Sequence, residues 1–408
     1  MKKKAVVLLL CMVMALSYGC GSKDNSNGAE STESVVEGTE TGIASVDIQY
    51  DVDDYVKLGD YKNIEVTLNE EDYLVNDETV NTYADQMISY YKPYVEDETK
   101  TVVEAGDVVD VDYVGKKDGE AFEGGSAENQ LIDTSSNTNA TSYSAYIEGF
   151  SDGLVGAKVG DTIDSEVTFP EDYQSEELKG QTVTFTFTIN SIQKKVTRDM
   201  LDDAFVSENF QAENVDEFYS NIHTVLEQQA ESAKQSDIRN AVIDQVTEDA
   251  TVEEFPEGLL EARVEEYIEG FTNSYCTDGT TLADYLETNY NTTEEDFRNQ
   301  TTEYMKETLK QELVFEAVAK AEKLEFDQDE FDQYITNLVS NGGFGTEDAL
   351  FEMYGPTKEA GEKYLKKIYL SNKACTSLAE SAKVTYTAAE STEAVAEGTE
   401  TLVESTEQ

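Results

Sequence analysis

His223 is the only imidazole in a chain of 408 residues, and it stands among Asn221, Thr224 and Glu227 with no nucleophile or metal partner beside it. That setting points to a surface role rather than to acid–base chemistry. The cysteines are Cys11, Cys20, Cys276 and Cys375. No C-x-x-C pair occurs, so thiol–disulfide exchange has no support. Carboxylate pairs such as Asp202-Asp203 are unavoidable in a chain with 86 Asp and Glu, and no calcium-loop spacing appears among them. Nothing calls for a metal or a cofactor. What remains is aromatic: 24 Tyr and 16 Phe in a chain without Trp, several of them in the strand-like runs of residues 101–195. Rings of this kind exclude water. Taken by themselves they read as the core of a sheet domain, since buried aromatics are usually core.

The elements that would hold these rings are legible. Over residues 101–195, Val109, Val111 and Tyr113 alternate with Asp110 and Asp112. Ile163, Val167 and Phe169 alternate likewise and stop at Pro170. Val183, Phe185, Phe187 and Ile189 interleave with four threonines. A period of two predicts half-buried strands. Turn residues at Lys117-Asp118-Gly119, Gly124-Gly125 and Gly149 punctuate them, leaving room for one short helix. Before this region, residues 50–100 predict a strand over Tyr61 to Leu68. A helix follows, with Val80, Tyr83, Ala84, Met87, Ile88 and Tyr91 on one face, ended by Pro93.

Residues 196–385 read as helices throughout. One stripe is Leu259, Leu260, Val264, Tyr267, Ile268 and Phe271, behind Pro256. Thr293 followed by Asp296 predicts a capped start for the helix carrying Met305, Leu309 and Leu313. Asp327 followed by Glu330 predicts another, carrying Phe331, Tyr334, Ile335 and Leu338, broken at Gly342-Gly343. A last helix carries Tyr364, Ile368, Tyr369 and Leu378. Cys276 and Cys375 both fall in helical sequence; one disulfide or two free thiols are both open.

Lys2, Lys3 and Lys4 precede an apolar run from Ala5 to Leu16, the form of a signal peptide and too short to span a bilayer. Gly19-Cys20 just past it resembles a lipoprotein cleavage site, with Ser17 where that pattern prefers Leu. On this reading residues 1–20 are a leader, Cys20 carries lipid, and the protein sits on the outer face of a bacterial cytoplasmic membrane. Cleavage nearby as an ordinary signal peptide is the alternative. Residues 21–49 are polar and acidic, with too little apolar surface to fold, and read as a tether. Residues 386–408 read as a matching tail: Glu30–Thr41 and Glu390–Thr401 share ten of twelve residues. Lys and Arg total 29, which leaves a formal charge of −57 and sets aside nucleic acid as a partner.

The run Gly106 to Gly115, then Asp118 to Gly125, Tyr146 to Gly156, Val159-Gly160-Asp161, and Thr168 to Tyr173 with Leu178-Lys179-Gly180, resembles the FKBP-type isomerase domain of trigger factor, in family order. Glu254 to Glu261 and Leu309 to Glu322 resemble that family's C-terminal chaperone domain. The resemblance implies an α+β architecture. Residues 101–195 would be an FKBP-like antiparallel β-sheet domain with a short helix, and residues 196–385 an all-α chaperone domain. It also implies a peptidyl-prolyl cis-trans isomerase whose clients are unfolded or nascent secreted polypeptides. The family's ribosome-docking domain has no counterpart here, so no ribosome partner is expected.

By motif position the isomerase pocket would use Tyr113, Phe122, Tyr146, Ile147, Phe150 as the floor, Tyr173 and Phe185, with Glu123 as its acidic residue. Two places depart from the pattern. Glu148 stands where the family has Pro, and a polar stretch, Asp133 to Ser144, is inserted beside the rim, with Gln130 where an aromatic often lies. The insertion could cover the pocket, widen it or do neither. A holdase whose sheet domain only grips clients, and a surface spacer built on the same folds, are the competing readings.

Overall fold

The computed structural model describes residues 48–277 and 279–387. The leader at 1–20, Cys20, almost all of the 21–49 tether, both copies of the repeat and the tail from 388 lie outside the described residues. In chain order the strands and helices are β1 (Val56–Lys57), β2 (Glu65–Asn69), α1 (Asp77–Tyr91), β3 (Tyr94–Glu96), β4 (Val108–Lys117), β5 (Glu120–Asp133), β6 (Thr138–Asn139), β7 (Thr162–Thr168), β8 (Thr182–Lys195), α2 (Asp203–Asn209), α3 (Val215–Asp249), β9 (Thr251–Val252), α4 (Leu259–Tyr275), α5 (Leu282–Tyr290), α6 (Glu294–Ala321), α7 (Gln328–Gly342), α8 (Glu347–Met353), α9 (Lys358–Ser381) and β10 (Lys383–Thr387). The α+β class is as the sequence implies. The described residues form two compact units, one from Val75 to Gln229 and one from residues 48–74 together with those from Ala230 to Thr387.

In the Val75–Gln229 unit an antiparallel sheet is built around β8. β8 pairs with β4 along one edge and with β7 and β3 along the other; β5 follows β4, and β6 follows β5. The period-two pattern holds where it was read: Val183, Phe185, Phe187 and Ile189 are buried between the threonines. At Asn190 the register against β4 slips by one residue, and its side-chain amide donates to Asp110 and Asp112. The bulge keeps both Ile189 and Ile192 inside, which strict alternation would forbid. The short helix expected here is a single 3-10 turn, Asp152–Leu154. A second core joins Val80 and Ala84 of α1 to Val206, Phe218 and Ile222. Asn76 caps α1 with a reciprocal box, and the helix ends two residues before Pro93. Tyr91, expected on its apolar face, is exposed instead, because the helix runs out beneath it.

The other unit is mainly helical, with two corrections to the sequence reading. The strand predicted over Tyr61 to Leu68 begins only at Glu65, because Asp60 accepts hydrogen bonds from Lys62 N and the Asn63 amide and holds residues 60–63 in a turn. The run read as helical throughout contains β9 and ends in β10, which pairs parallel with β2 from Lys383↔Glu65 to Thr387↔Asn69. Tyr386 and Thr387 are thus strand residues rather than tail. Thr293 and Asp327 cap α6 and α7 by accepting from Asp296 N and Glu330 N, as expected.

Within the same unit, α6 and α9 bury a charged cluster with Arg263 of α4. Glu312 lies 2.9 Å from Lys367 Nζ and 3.4 Å from Arg263, and accepts from the Tyr364 hydroxyl at 3.2 Å. Cys375 is buried, Cys276 half-buried, and both are free thiols.

Candidate functional site

β4, β5, β8 and the loops after β6 and β7 bring the expected rings into one cluster. Phe150 and Phe185 are buried with ring centroids 4.8 Å apart in an edge contact. Tyr113 of β4 meets both, at 5.2 Å from Phe150 and 5.9 Å from Phe185. Phe122 of β5 lies 5.9 Å from Phe185, also in an edge contact. Tyr146 stacks on Phe150 at 4.5 Å. Tyr173 joins through Phe169, 4.6 Å from Tyr173 and 6.1 Å from Phe122. Tyr113, Phe122, Tyr146, Ile147 and Tyr173 are each half-buried, so the cluster has a buried floor and partly open walls. Edge and offset contacts suit the ring quadrupoles and fix the rings against one another. Burial, and then Tyr146 beside it, raise the Tyr113 phenol, which keeps that hydroxyl neutral.

Two glycines make the space for Phe122. A Cβ on Gly115 would stand 2.6 Å from Phe122 Cζ and 2.7 Å from Phe185 Cε1; one on Gly125 would stand 2.5 Å from Phe122 Cε2. Both contacts are closer than carbon atoms allow, so the ring sits where only hydrogen atoms can face it.

Glu123 is not part of the cluster. It is exposed and makes no hydrogen bond or ion pair among the described residues. The floor is covered: Phe150 is 2% exposed, with Tyr146 flat on it and Tyr113, Phe185 and Phe187 around it. The reading missed Phe169 and Phe187, the latter 5.1 Å from Phe150. The alternation that placed Phe185 inward placed Phe187 on the same face, so that signal was present.

The polar insertion folds back onto the sheet. β6 pairs with Ile132 and Asp133, and Thr138 bridges Ala145. Asn139 donates to Gln130 Oε1 at 3.2 Å and to the Tyr146 hydroxyl at 3.4 Å. The insertion therefore backs the Tyr146 wall.

With this geometry in place, comparison with known proteins is specific. Residues 99–190 match the family described as FKBP-type peptidyl-prolyl cis-trans isomerase, and residues 214–380 match bacterial trigger factor protein (TF) C-terminus. A trigger factor of Shouchella clausii is 34% identical over 285 residues, 70% of this chain and 63% of that protein. One of Halothermothrix orenii is 34% identical over 70% of this chain and 64% of its own length. One of Syntrophomonas wolfei is 31% identical over 340 residues, 82% of this chain and 74% of the relative. The chain thus spans just under two thirds of the length of the first two relatives. A solved trigger factor chaperone overlays with a TM-score of 0.45 at 18% identity, covering 80% of this chain and 72% of that one.

Proposed function

The chain belongs to the trigger factor family, and on that footing we propose that it is a peptidyl-prolyl cis-trans isomerase and folding chaperone for unfolded polypeptides outside the cytoplasmic membrane. The observation that carries the reading is the continuous ring cluster of Tyr113, Phe122, Tyr146, Phe150 and Phe185 inside the stretch that matches the isomerase family. Rotation about an X–Pro bond faces a barrier of ~18–20 kcal/mol, and the unaided step takes tens to hundreds of seconds. A twisted imide loses resonance, and its carbonyl becomes less polar. Rings that strip water from the imide therefore favour the twisted form over the planar one, which is selective binding of the transition state. No nucleophile or proton donor is required. Glu123, exposed at the edge, takes no part in that step on this reading.

The helical unit would hold clients through its part-exposed aromatic residues. Tyr275 and Tyr304 sit near the cluster of Phe271, Leu286 and Phe297, and Phe326 beside Phe331 and Tyr369. Lipid on Cys20 would anchor the protein, with residues 21–49 as its tether, which removes it from the ribosome. Labelling cells with a radioactive fatty acid tests this: wild type should carry label and Cys20→Ala should not. Label on neither would remove the anchor from the account.

A lipoprotein holdase is the second reading, and the covered Phe150 ring favours it. Two measurements on the intact protein separate the two. An isomerase accelerates cis–trans exchange in a proline peptide; a pure holdase suppresses aggregation of a denatured client and leaves that exchange at its uncatalysed rate.

A further inference from the structure

One polar residue of the insertion grips the loop that carries the rings. Asn137 Nδ2 donates to Ile147 O at 2.8 Å and to Tyr146 O at 3.3 Å. Its Oδ1 accepts from Ser151 N at 3.0 Å, and its backbone O accepts from Tyr146 N at 3.0 Å. These contacts reach both ends of the segment 146–151, with Phe150 between them. Asn137 itself has φ 54°, in the left-handed region that Asn tolerates better than most side chains. The chemistry demands an amide. One end must donate to carbonyls and the other must accept from an N–H, at once and in a half-buried place. Aspartate would set a carboxylate against two carbonyl oxygens, and alanine would leave all three side-chain contacts empty.

The need for such a grip is visible in the same segment. Glu148 is exposed and stands where the family pattern has Pro. A proline there fixes φ near −65° and stiffens the approach to Gly149 and Phe150. Gly149, at φ 81°, adds no stiffness of its own. The segment that presents Tyr146 and Phe150 thus lacks the usual local restraint and carries a non-local one.

We propose that Asn137 is a positioning residue for the isomerase site, holding residues 146–151 in the conformation that sets Tyr146 on Phe150. Asn137 replaces by hydrogen bonding the restraint that proline at position 148 would give. The inference rests on the isomerase reading for its kinetic consequence but not for its structural one.

The test uses the full chain as wild type, Asn137→Ala, Asn137→Asp and the double variant Asn137→Ala with Glu148→Pro. Three quantities are read: kcat/KM on a proline tetrapeptide, amide hydrogen exchange over residues 146–152, and the thermal midpoint. Asn137→Ala and Asn137→Asp should lower kcat/KM by about tenfold, as a small displacement of reacting groups does. Exchange at residues 147–151 should quicken in both. Adding Glu148→Pro should restore most of the lost activity and slow the exchange again. A merely structural contact would not be rescued by proline at a position Asn137 does not touch. Unchanged exchange at 147–151 in both single variants overturns the proposal, as does activity lost and not recovered by Glu148→Pro. If the wild type proves inactive, the isomerase reading falls, and the exchange data alone decide for or against the grip.

Discussion

Tyr146 lies parallel on Phe150, with ring centroids 4.5 Å apart and planes 14° from each other. It is the only near-parallel pair in a cluster otherwise made of edge and tilted contacts. One face of Tyr146 is spent on Phe150, so on the proposed reading a proline would meet the Tyr146 ring first.

The first prediction concerns that ring. Tyr146→Phe keeps the stack and loses only the long bond from Asn139, so kcat/KM on a proline peptide should stay within about twofold. Tyr146→Ala removes the wall and should lower kcat/KM by about tenfold, a stacked pair being worth ~0.5–1.5 kcal/mol beyond its buried area. Steady-state kinetics with the two variants side by side decide it. Equal activity in all three proteins would take Tyr146 out of the site.

Phe185 touches four rings, Tyr113, Phe122, Phe150 and Phe187. Phe185→Ala risks unfolding, at a cost of ~3–5 kcal/mol. Phe185→Leu keeps a buried apolar side chain and should cost less than Phe185→Ala in a denaturant titration, and still lose most isomerase activity, because apolar bulk is largely kept and aromatic contact is not. Full activity in a stable Phe185→Leu protein would contradict the aromatic mechanism.

Gly115→Ala is a third probe, and it leaves every ring in the sequence. The new Cβ meets Phe122 and Phe185 inside contact distance, so both rings must shift. Overpacking of this kind costs ~1–3 kcal/mol. The expected result is a lower unfolding midpoint in urea together with reduced isomerase activity. A neutral substitution would mean that Phe122 is free to move away.

The buried cluster in the helical unit gives a pH dependence of defined sign. Burial alone would raise the Glu312 carboxyl, but the Lys367 and Arg263 charges outweigh it and hold it at about 2 instead of 4.5. A carboxyl depressed by folding adds stability that is complete above its ordinary pKa and is lost as pH falls toward the folded value. Glu312→Gln should therefore be destabilised near pH 7, by ~3–5 kcal/mol as for a buried pair with one partner removed. The gap between wild type and variant should close between about pH 4.5 and pH 2. Thermal unfolding of both proteins across that range reads it; a gap that stays constant would mean that Glu312 is not held ionised by its partners.

Cysteine reactivity supplies a fifth prediction. Burial pushes the Cys375 thiol up to about 11, and raises Cys276 as well. A raised pKa leaves little thiolate at neutral pH. Native protein treated with iodoacetamide should be modified at Cys276 first and at Cys375 only on unfolding, as read by peptide mass spectrometry. Early modification of Cys375 would show that its helix opens in the native state.

How far the sequence carried depended on the range of the interaction. The threonine-interleaved strand, the caps at Thr293 and Asp327 and the stop before Pro93 are local, and each is written within a few residues. The rings of the site could be named because their family positions are spelled out in order. β10 was not foreseen: its partner strand lies more than 300 residues away, and the alternation of Val384 and Tyr386 with Lys383, Thr385 and Thr387 is too short to stand out behind a long helix. Asn137 was hidden for a related reason. In a run of Ser, Thr and Asn, composition marks a polar loop but not which amide is aimed at Ile147 O.

The direct measurement is the cis-to-trans rate of a proline tetrapeptide in the presence of the intact protein, wild type against Phe150→Leu. The account requires a saturable acceleration by the wild type and its near loss in the variant, with both proteins folded. A rate equal to that of buffer alone with folded wild type, or undiminished catalysis by Phe150→Leu, would contradict it.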